Sequence, residues 1–259
     1  MNKPYPNSLK NPPLIEMIIE YRFNSTLPDE ALFGLYYPII KEYFSNYNTL
    51  PIMNIPLEAR NTDISLMYQP HYHFYDENNG LSLLIGPRVL TFKYERFREG
   101  KINQYPGWRN SISKFSSELT NEIFKKLELQ NIERLGIRYI DFFENLKLGE
   151  YITPSFSFPN RELERLQVTC SIQEDEILHN INLSDSAEFK HFVNNELRIH
   201  MVGSLIDVDS EYIPKDLNEV LPILEDILTK MHDDNKNLFY EIMKNELVEK
   251  YNPIYEEKK

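Results

Sequence analysis

The chain has 259 residues, 41% hydrophobic and 26% charged, enough to bury one substantial core or two small ones rather than stay disordered. Its 40 acidic against 28 basic side chains give a net charge of -12, a field that repels phosphate backbones at long range and disfavours broad nucleic-acid binding, though not a local basic site. A polar N-terminus without an apolar signal core, no run approaching the ~18 apolar residues of a membrane span, and a single cysteine predict a cytoplasmic protein with no membrane contact and no internal disulfide.

Asn11-Pro12-Pro13 opens a segment in which Ile15, Met17, Ile19, Tyr21 and Phe23 share one parity and Glu16, Glu20 and Arg22 the other, the period of a half-buried strand. Pro28 and Asp29 start a predicted helix reaching Phe44, with Leu32, Leu35, Tyr36 and Ile39 at helical spacing and Pro38 expected to kink it. Asn79-Gly80 and Gly86-Pro87-Arg88 punctuate an antiparallel meander in which Leu81, Leu83 and Ile85, then Leu90, Phe92 and Tyr94, share faces. After Tyr105-Pro106-Gly107, apolar residues from Trp108 to Leu127 step by three or four, an amphipathic helix of about five turns.

The second half begins with a strand over Ile132 to Phe143. Leu166, Val168, Cys170 and Ile172 then alternate with polar residues, which predicts a buried, inert thiol at Cys170. Strands over Ile177 to Leu183 and Leu197 to Val208 follow, and a long helical region runs from Leu217 to Val248 with Pro222 in its first turn. The order strand, helix, strands, helix is repeated with a loop in place of the first helix. It predicts an α+β fold of two similar lobes, residues 1–130 and 131–259, formed by duplication of one unit and joined as one structural unit. Antiparallel sheet packs around the long helices, and Asn145 to Arg161, with Gly149, Pro154 and Pro159, is the linker-like excursion.

Candidate sites are few. His71 and His73 lie two apart on a strand, so their rings share a face, a spacing that can bind a divalent metal but here lacks a third ligand. Gly203-Ser204 before Asp207 and Asp209 is similar to the metal-holding carboxylates of nucleotidyltransferases, with too short a spacer. His232-Asp233 is the doublet of metal-dependent phosphohydrolases without its other ligands. Between Arg88 and Arg109 stand six basic residues, Arg88, Lys93, Arg96, Arg98, Lys101 and Arg109, against the acidic Glu95 and Glu99, with Phe92, Tyr94, Phe97, Tyr105 and Trp108 interleaved. Arg88, Lys93, Arg96, Arg98, Trp108 and Arg109 are therefore the expected ligand or partner site, for a nucleotide, a nucleic-acid strand or an acidic protein. No phosphate-cradling glycine pattern and no Gly-x-Ser-x-Gly elbow occurs, so no catalytic residue and no cofactor is expected.

Five landmarks, Asn11-Pro12-Pro13, Ile85-Gly86-Pro87-Arg88, Tyr105-Pro106-Gly107-Trp108, Arg134-Leu135-Gly136-Ile137-Arg138-Tyr139-Ile140-Asp141 and His232 before Leu238-Phe239, span nearly the whole chain. Together they resemble a sporadically distributed family of prokaryotic proteins of about this length with no established activity. The resemblance implies a non-enzymatic interaction protein that works with a neighbouring gene's product in a defence or toxin-antitoxin cassette, and a homo-oligomer is compatible with it. The residues themselves give structural roles: Pro12-Pro13 stiffens the approach to the first strand, Gly136 permits close backbone approach, and Arg138 and Asp141 form a polar pair at a sheet edge. Two rival functions stand beside it. One is a metal-dependent enzyme or sensor acting on nucleotides or nucleic acid through Asp207 and Asp209, or His232 and Asp233. The other is a small-ligand sensor with its pocket between the lobes.

Overall fold

The computed structural model describes residues 5–25, 27–77, 80–156, 160, 163–214 and 220–255. A short strand β1 (Ser8–Leu9) leads into β2 (Leu14–Asn24), followed by helix α1 (Asp29–Ile40), strand β3 (Asn46–Thr49) and two short helices, α2 (Leu57–Thr62) and α3 (Ile64–Met67). The meander β4 (Tyr72–Tyr75), β5 (Leu81–Gly86) and β6 (Val89–Glu95) comes next, then a small hairpin of β7 (Phe97–Arg98) and β8 (Lys101–Ile102). A π turn, Trp108–Ile112, runs into α4 (Ser113–Leu127). The second half comprises β9 (Gln130–Glu144), β10 (Gln167–Glu174), β11 (Ile177–Val193), β12 (Glu196–Tyr212), α5 (Leu224–Ile242) and α6 (Asn245–Lys250). A last short strand, β13 (Pro253–Ile254), pairs with β1.

The fold is α+β, built on a nine-stranded sheet in the order β10-β11-β12-β9-β2-β6-β5-β4-β3, with every pairing antiparallel. The sheet is continuous through both halves, which meet where β2 pairs with β9. Each half contributes one long central strand, then an excursion, then a meander that works back from the edge to the centre, then a helix. Because β2 and β9 are antiparallel neighbours, the two halves are related by a two-fold turn about an axis through the sheet near the pairing of Ile19 with Ile137.

Period-two patterning decides what the central strands bury. Met17, Ile19, Tyr21 and Phe23 of β2 and Leu135 and Ile137 of β9 are inaccessible to solvent, and all join one core cluster with Leu32 and Tyr36 of α1, Ile123 and Phe124 of α4 and Leu228 and Met231 of α5. A second cluster gathers Phe143, Ile181, Leu183, Ile206 and Val208 of the sheet with Leu148 and Ile152 of the excursion and Leu247 and Val248 of α6.

The other parity forms an ion-pair lattice on the opposite face. Arg134 binds Glu20 at 2.7 Å, Asp209 at 2.9 Å and Glu211 at 3.1 Å. Arg138 grips Asp207 through two bonds of 2.8 and 2.7 Å. Gly136 makes room for this lattice rather than for a close backbone: a Cβ there would stand 2.7 Å from Nη1 of Arg134. Arg138 and Asp141, expected as a pair, point to opposite faces because their positions differ by an odd number.

Several boundaries differ from the sequence expectation. Pro38 lies inside α1 without breaking it, and the helix stops at Ile40 rather than Phe44. β11 and β12 run 17 residues each, well past the predicted ends, and their far halves form a two-stranded arm. The long C-terminal helix is divided into α5 and α6 at Met243, which is extended and bridges to Ile152. Cys170 is exposed, not buried. It faces the same way as its buried partner Ile181, but β10 is the sheet's edge strand and stands beyond the cover of the helices. Asn79 and Leu217 lie outside the described residues.

Candidate functional site

Antiparallel pairing brings the N-terminal start of β2 beside the C-terminal end of β9, with Leu14 opposite Asp141. Three other segments converge there. The chain from Asn7 to Pro13 is tied to the C-terminus by the β1–β13 pair, and Arg96 donates from Nη1 to the Pro12 carbonyl at 3.1 Å. The loop before α4 is fixed by Asn103, which donates from its backbone N–H to the Arg96 carbonyl at 2.7 Å and from Nδ2 to the Glu95 carbonyl at 3.0 Å. Gly107 ends that loop at a φ of 87°, a conformation costly for any residue with a Cβ, and so turns Trp108 into the core. Helix α5 is anchored over β12 by buried Asn235, whose Nδ2 donates to the Val208 carbonyl at 3.0 Å and to Ser210 Oγ at 2.8 Å.

Between these parts lies a cavity of about 690 Å³. Its floor is Tyr139, Asp141 and Val208; α5 supplies His232, Asn235, Lys236, Phe239 and Tyr240; the loop supplies Asn103, Tyr105 and Trp108; and the N-terminal segment closes over it. Residues of both core clusters line it, so it sits at the junction of the two halves. That size, and a lining in which aromatic rings meet converging polar groups, are the usual character of a small-molecule site.

The polar groups are arranged in order. The Trp108 indole stacks on the His232 ring, with centroids 4.4 Å apart and planes 10° from parallel. His232 Nδ1 and the Tyr139 hydroxyl are 2.7 Å apart, and Tyr139 and Tyr105 are linked hydroxyl to hydroxyl at 3.5 Å. Burial drives both phenols above their ordinary pKa, so they act as neutral hydrogen-bonding groups. Trp108 Nε1 is buried without a hydrogen-bond partner among the described residues. Asp141 is only 6% exposed, and no hydrogen bond or ion pair involves its carboxyl among the described residues. Burial, with Asp207 across the sheet as a lesser cause, pushes its pKa up to about 8.

The predicted basic site is dispersed by strand alternation. Trp108 and Arg96 line the cavity. Lys93 and Arg98 belong to the lattice on the opposite face, where Lys93 binds Glu16 at 3.2 Å and Arg98 binds Glu95 at 3.0 Å. Arg88 lies with Nη1 2.6 Å from the Met67 sulfur, and the Arg109 side chain is outside the described residues.

The candidate metal ligands are separated as well. Asp207 and Asp209 are held by arginines on the lattice face, Asp233 accepts from Lys236 at 3.2 Å, and His232 faces the cavity. Ser204, beside Gly203, accepts from the Leu148 N–H at 3.1 Å and donates to the Leu146 carbonyl, which pins the excursion after β9. His71 packs its ring against the Arg60 guanidinium, and burial together with that charge brings its pKa down to about 4. Among the described residues, no three histidine, cysteine or carboxylate side chains are grouped as a metal site would require.

Tyr139, Asp141, Asn235 and Tyr240 were missed as site residues by sequence reasoning. One signal was legible: Leu135, Ile137, Tyr139, Asp141 and Phe143 share the core parity of β9, and an aspartate is out of place among them. Compared with known proteins, the chain matches no family model, no curated protein and no solved structure, so its site is read from its own chemistry.

Proposed function

We propose that the protein is a non-enzymatic binding protein that takes a small organic molecule into the cavity between its halves. The observation that carries this is convergence. Pro12-Pro13, Tyr105 to Trp108, Tyr139 and Asp141, and His232 with Phe239 are spread over more than two hundred residues of sequence and line one space. Core packing alone has no use for a cavity of this size, and each of these segments is fixed by its own hydrogen bonds rather than by filling it. Trp108 is the sole tryptophan, so intrinsic fluorescence reports on the site without labelling. A screen of small organic compounds is expected to yield ligands that change Trp108 emission and raise Tm together. Compounds that raise Tm with no effect on Trp108 emission would place the site elsewhere.

A protein partner is a second reading, favoured by one surface. The far half of the β11–β12 hairpin exposes Phe192 at 56%, Leu197 at 49% and Val202 at 51%, apolar area that a partner would cover. Copurification with a neighbouring gene's product, lost on replacing Phe192 and Leu197 by serine, is the expected result. Retention of the complex in that variant would remove the hairpin from consideration.

A further inference from the structure

Among the described residues, the buried and half-buried acidic side chains of the central strands are matched to cations with one exception. Glu20 has Arg22 and Arg134, Asp207 has Arg138, Asp209 has Arg134, and Glu16 and Glu95 have Lys93. All of these lie on the lattice face. Asp141 is on the other face, where neither arginine of its own strand can reach it. Of the acidic and basic residues lining the cavity, it alone is buried. Of the cavity's basic groups, Arg96 is engaged at the rim with the Pro12 carbonyl and over the Phe97 ring and Lys236 with Asp233, while Lys10 stands exposed at the mouth.

An unpartnered carboxyl in an apolar setting works against folding unless something binds to it. Around it the cavity presents the rings of Tyr94, Tyr105, Trp108, Tyr139, Phe239 and Tyr240. Aromatic faces attract cations and stack on flat groups, and they do nothing for an anion.

We propose that the ligand carries a cationic nitrogen group, an amidinium, guanidinium or ammonium, held by the Asp141 carboxylate, with its flat apolar body against the aromatic walls. This deepens the binding function proposed above and rests on it. In the free protein Asp141 holds its proton at pH 7, so a cation must displace that proton on binding. The groups facing Asp141 are Tyr139 on its own strand, Tyr105 of the loop, Tyr240 of α5 and Tyr251 after α6, with Asp207 across the sheet. The four phenols have raised pKa values and do not titrate near neutrality; His232 lines the same cavity, so the released proton is assigned to Asp141 by its loss in Asp141→Asn.

Three probes of nearly one shape test the charge: benzamidine (cation), benzamide (neutral) and benzoate (anion), each followed by Trp108 emission and by calorimetry up to about 5 mM. Benzamidine is expected to bind at least about tenfold more tightly than benzamide, with benzoate weakest. Its affinity rises by up to about tenfold per pH unit from pH 6 and levels off above pH 8, and calorimetry in two buffers of different ionisation enthalpy shows close to one proton released at pH 7. Asp141→Asn, isosteric and checked by circular dichroism, abolishes the preference and the pH dependence while benzamide still binds. Equal affinity for benzamidine and benzamide, or a cation preference that survives Asp141→Asn, overturns the cation inference and leaves the binding function standing. If none of the three probes, nor any compound of the screen, changes Trp108 emission, both fall.

Discussion

The two halves use one topology to different ends. Turned about the Ile19–Ile137 pairing, Tyr21 of β2 falls on Tyr139 of β9 and Phe23 falls on Asp141. In the first half Phe23 packs edge-on against Phe124 of α4, with centroids 5.1 Å apart, and nothing is left open. In the second half the corresponding strand end carries a carboxyl, the tyrosine reaches a histidine where Tyr21 faces the hydroxyl side chains of α4, and a cavity remains. The excursions differ in step: α1 brings Leu32, Tyr36 and Ile40 down onto the first half, whereas the chain after β9 packs Leu148 and Ile152 beside α6 and leaves the end of the strand clear. A repeated architecture therefore specifies the sheet twice, but a binding space only where one core position is polar and its cover comes from distant segments.

The largest expected effect lies in the filled half. Phe23→Ala removes a fully buried ring from a closed core and should cost about 3–5 kcal/mol by denaturant unfolding, with benzamidine affinity unchanged. A loss of affinity greater than tenfold in a variant that remains folded would mean that the two halves are not separate in function.

Next comes the lattice that both halves share. Arg134 is 15% exposed in its side chain and serves Glu20, Asp209 and Glu211 on two neighbouring strands. Its removal leaves three carboxylates facing one another, partly screened by solvent, and Arg134→Ala should destabilise by about 2–3 kcal/mol without affecting the cavity. A double-mutant cycle with Asp209→Ala measures the share of that pair, and a coupling near zero would show that the lattice is surface decoration.

How much of this was legible in the sequence follows from where each signal resides. Alternation in β2 is local, and it correctly placed Met17 to Phe23 in the core because the strand is covered along one face. The same rule failed at Cys170, since alternation reports which way a side chain points and not whether a helix extends far enough to cover it. It stopped short beyond Leu183, where the β11–β12 arm keeps the alternation, with Phe189 against Phe97 and Phe142 on one face, but a polar run from Ser184 to Ser186 and a register shift interrupt the pattern. The basic cluster from Arg88 to Arg109 was close in sequence and scattered in space, because neighbouring strand residues face opposite ways. The cavity was the reverse case, assembled from pieces whose proximity no local pattern encodes.

Asp141 supports a third prediction with a definite sign. Its folded pKa of about 8 lies above the ordinary carboxylate value near 4, so the native state holds a proton that the unfolded chain releases. Wild type therefore has its full stability below about pH 4 and loses this contribution as pH rises toward 8. Asp141→Asn carries no such loss. In the absence of ligand its Tm should match wild type near pH 4 and exceed it increasingly up to pH 8, by about 2–4 °C for each kcal/mol recovered. A gap that stays constant across this range would mean that the carboxyl is solvated or already paired.

The smallest effect sharpens the comparison at its axis. Under the same two-fold turn Gly136 falls on Ile18, so the lattice face carries a side chain in one half and none in the other. The missing side chain lets the Arg134 guanidinium lie across β9 toward Asp209 and Glu211 on β12. A Cβ at 136 would displace only the end of a flexible side chain, so Gly136→Ala should cost about 1 kcal/mol, part of it returned by the lower backbone entropy of the unfolded chain. That cost should vanish when Arg134 is already alanine. If it persists there, the glycine answers to the backbone of β9 and not to the guanidinium above it.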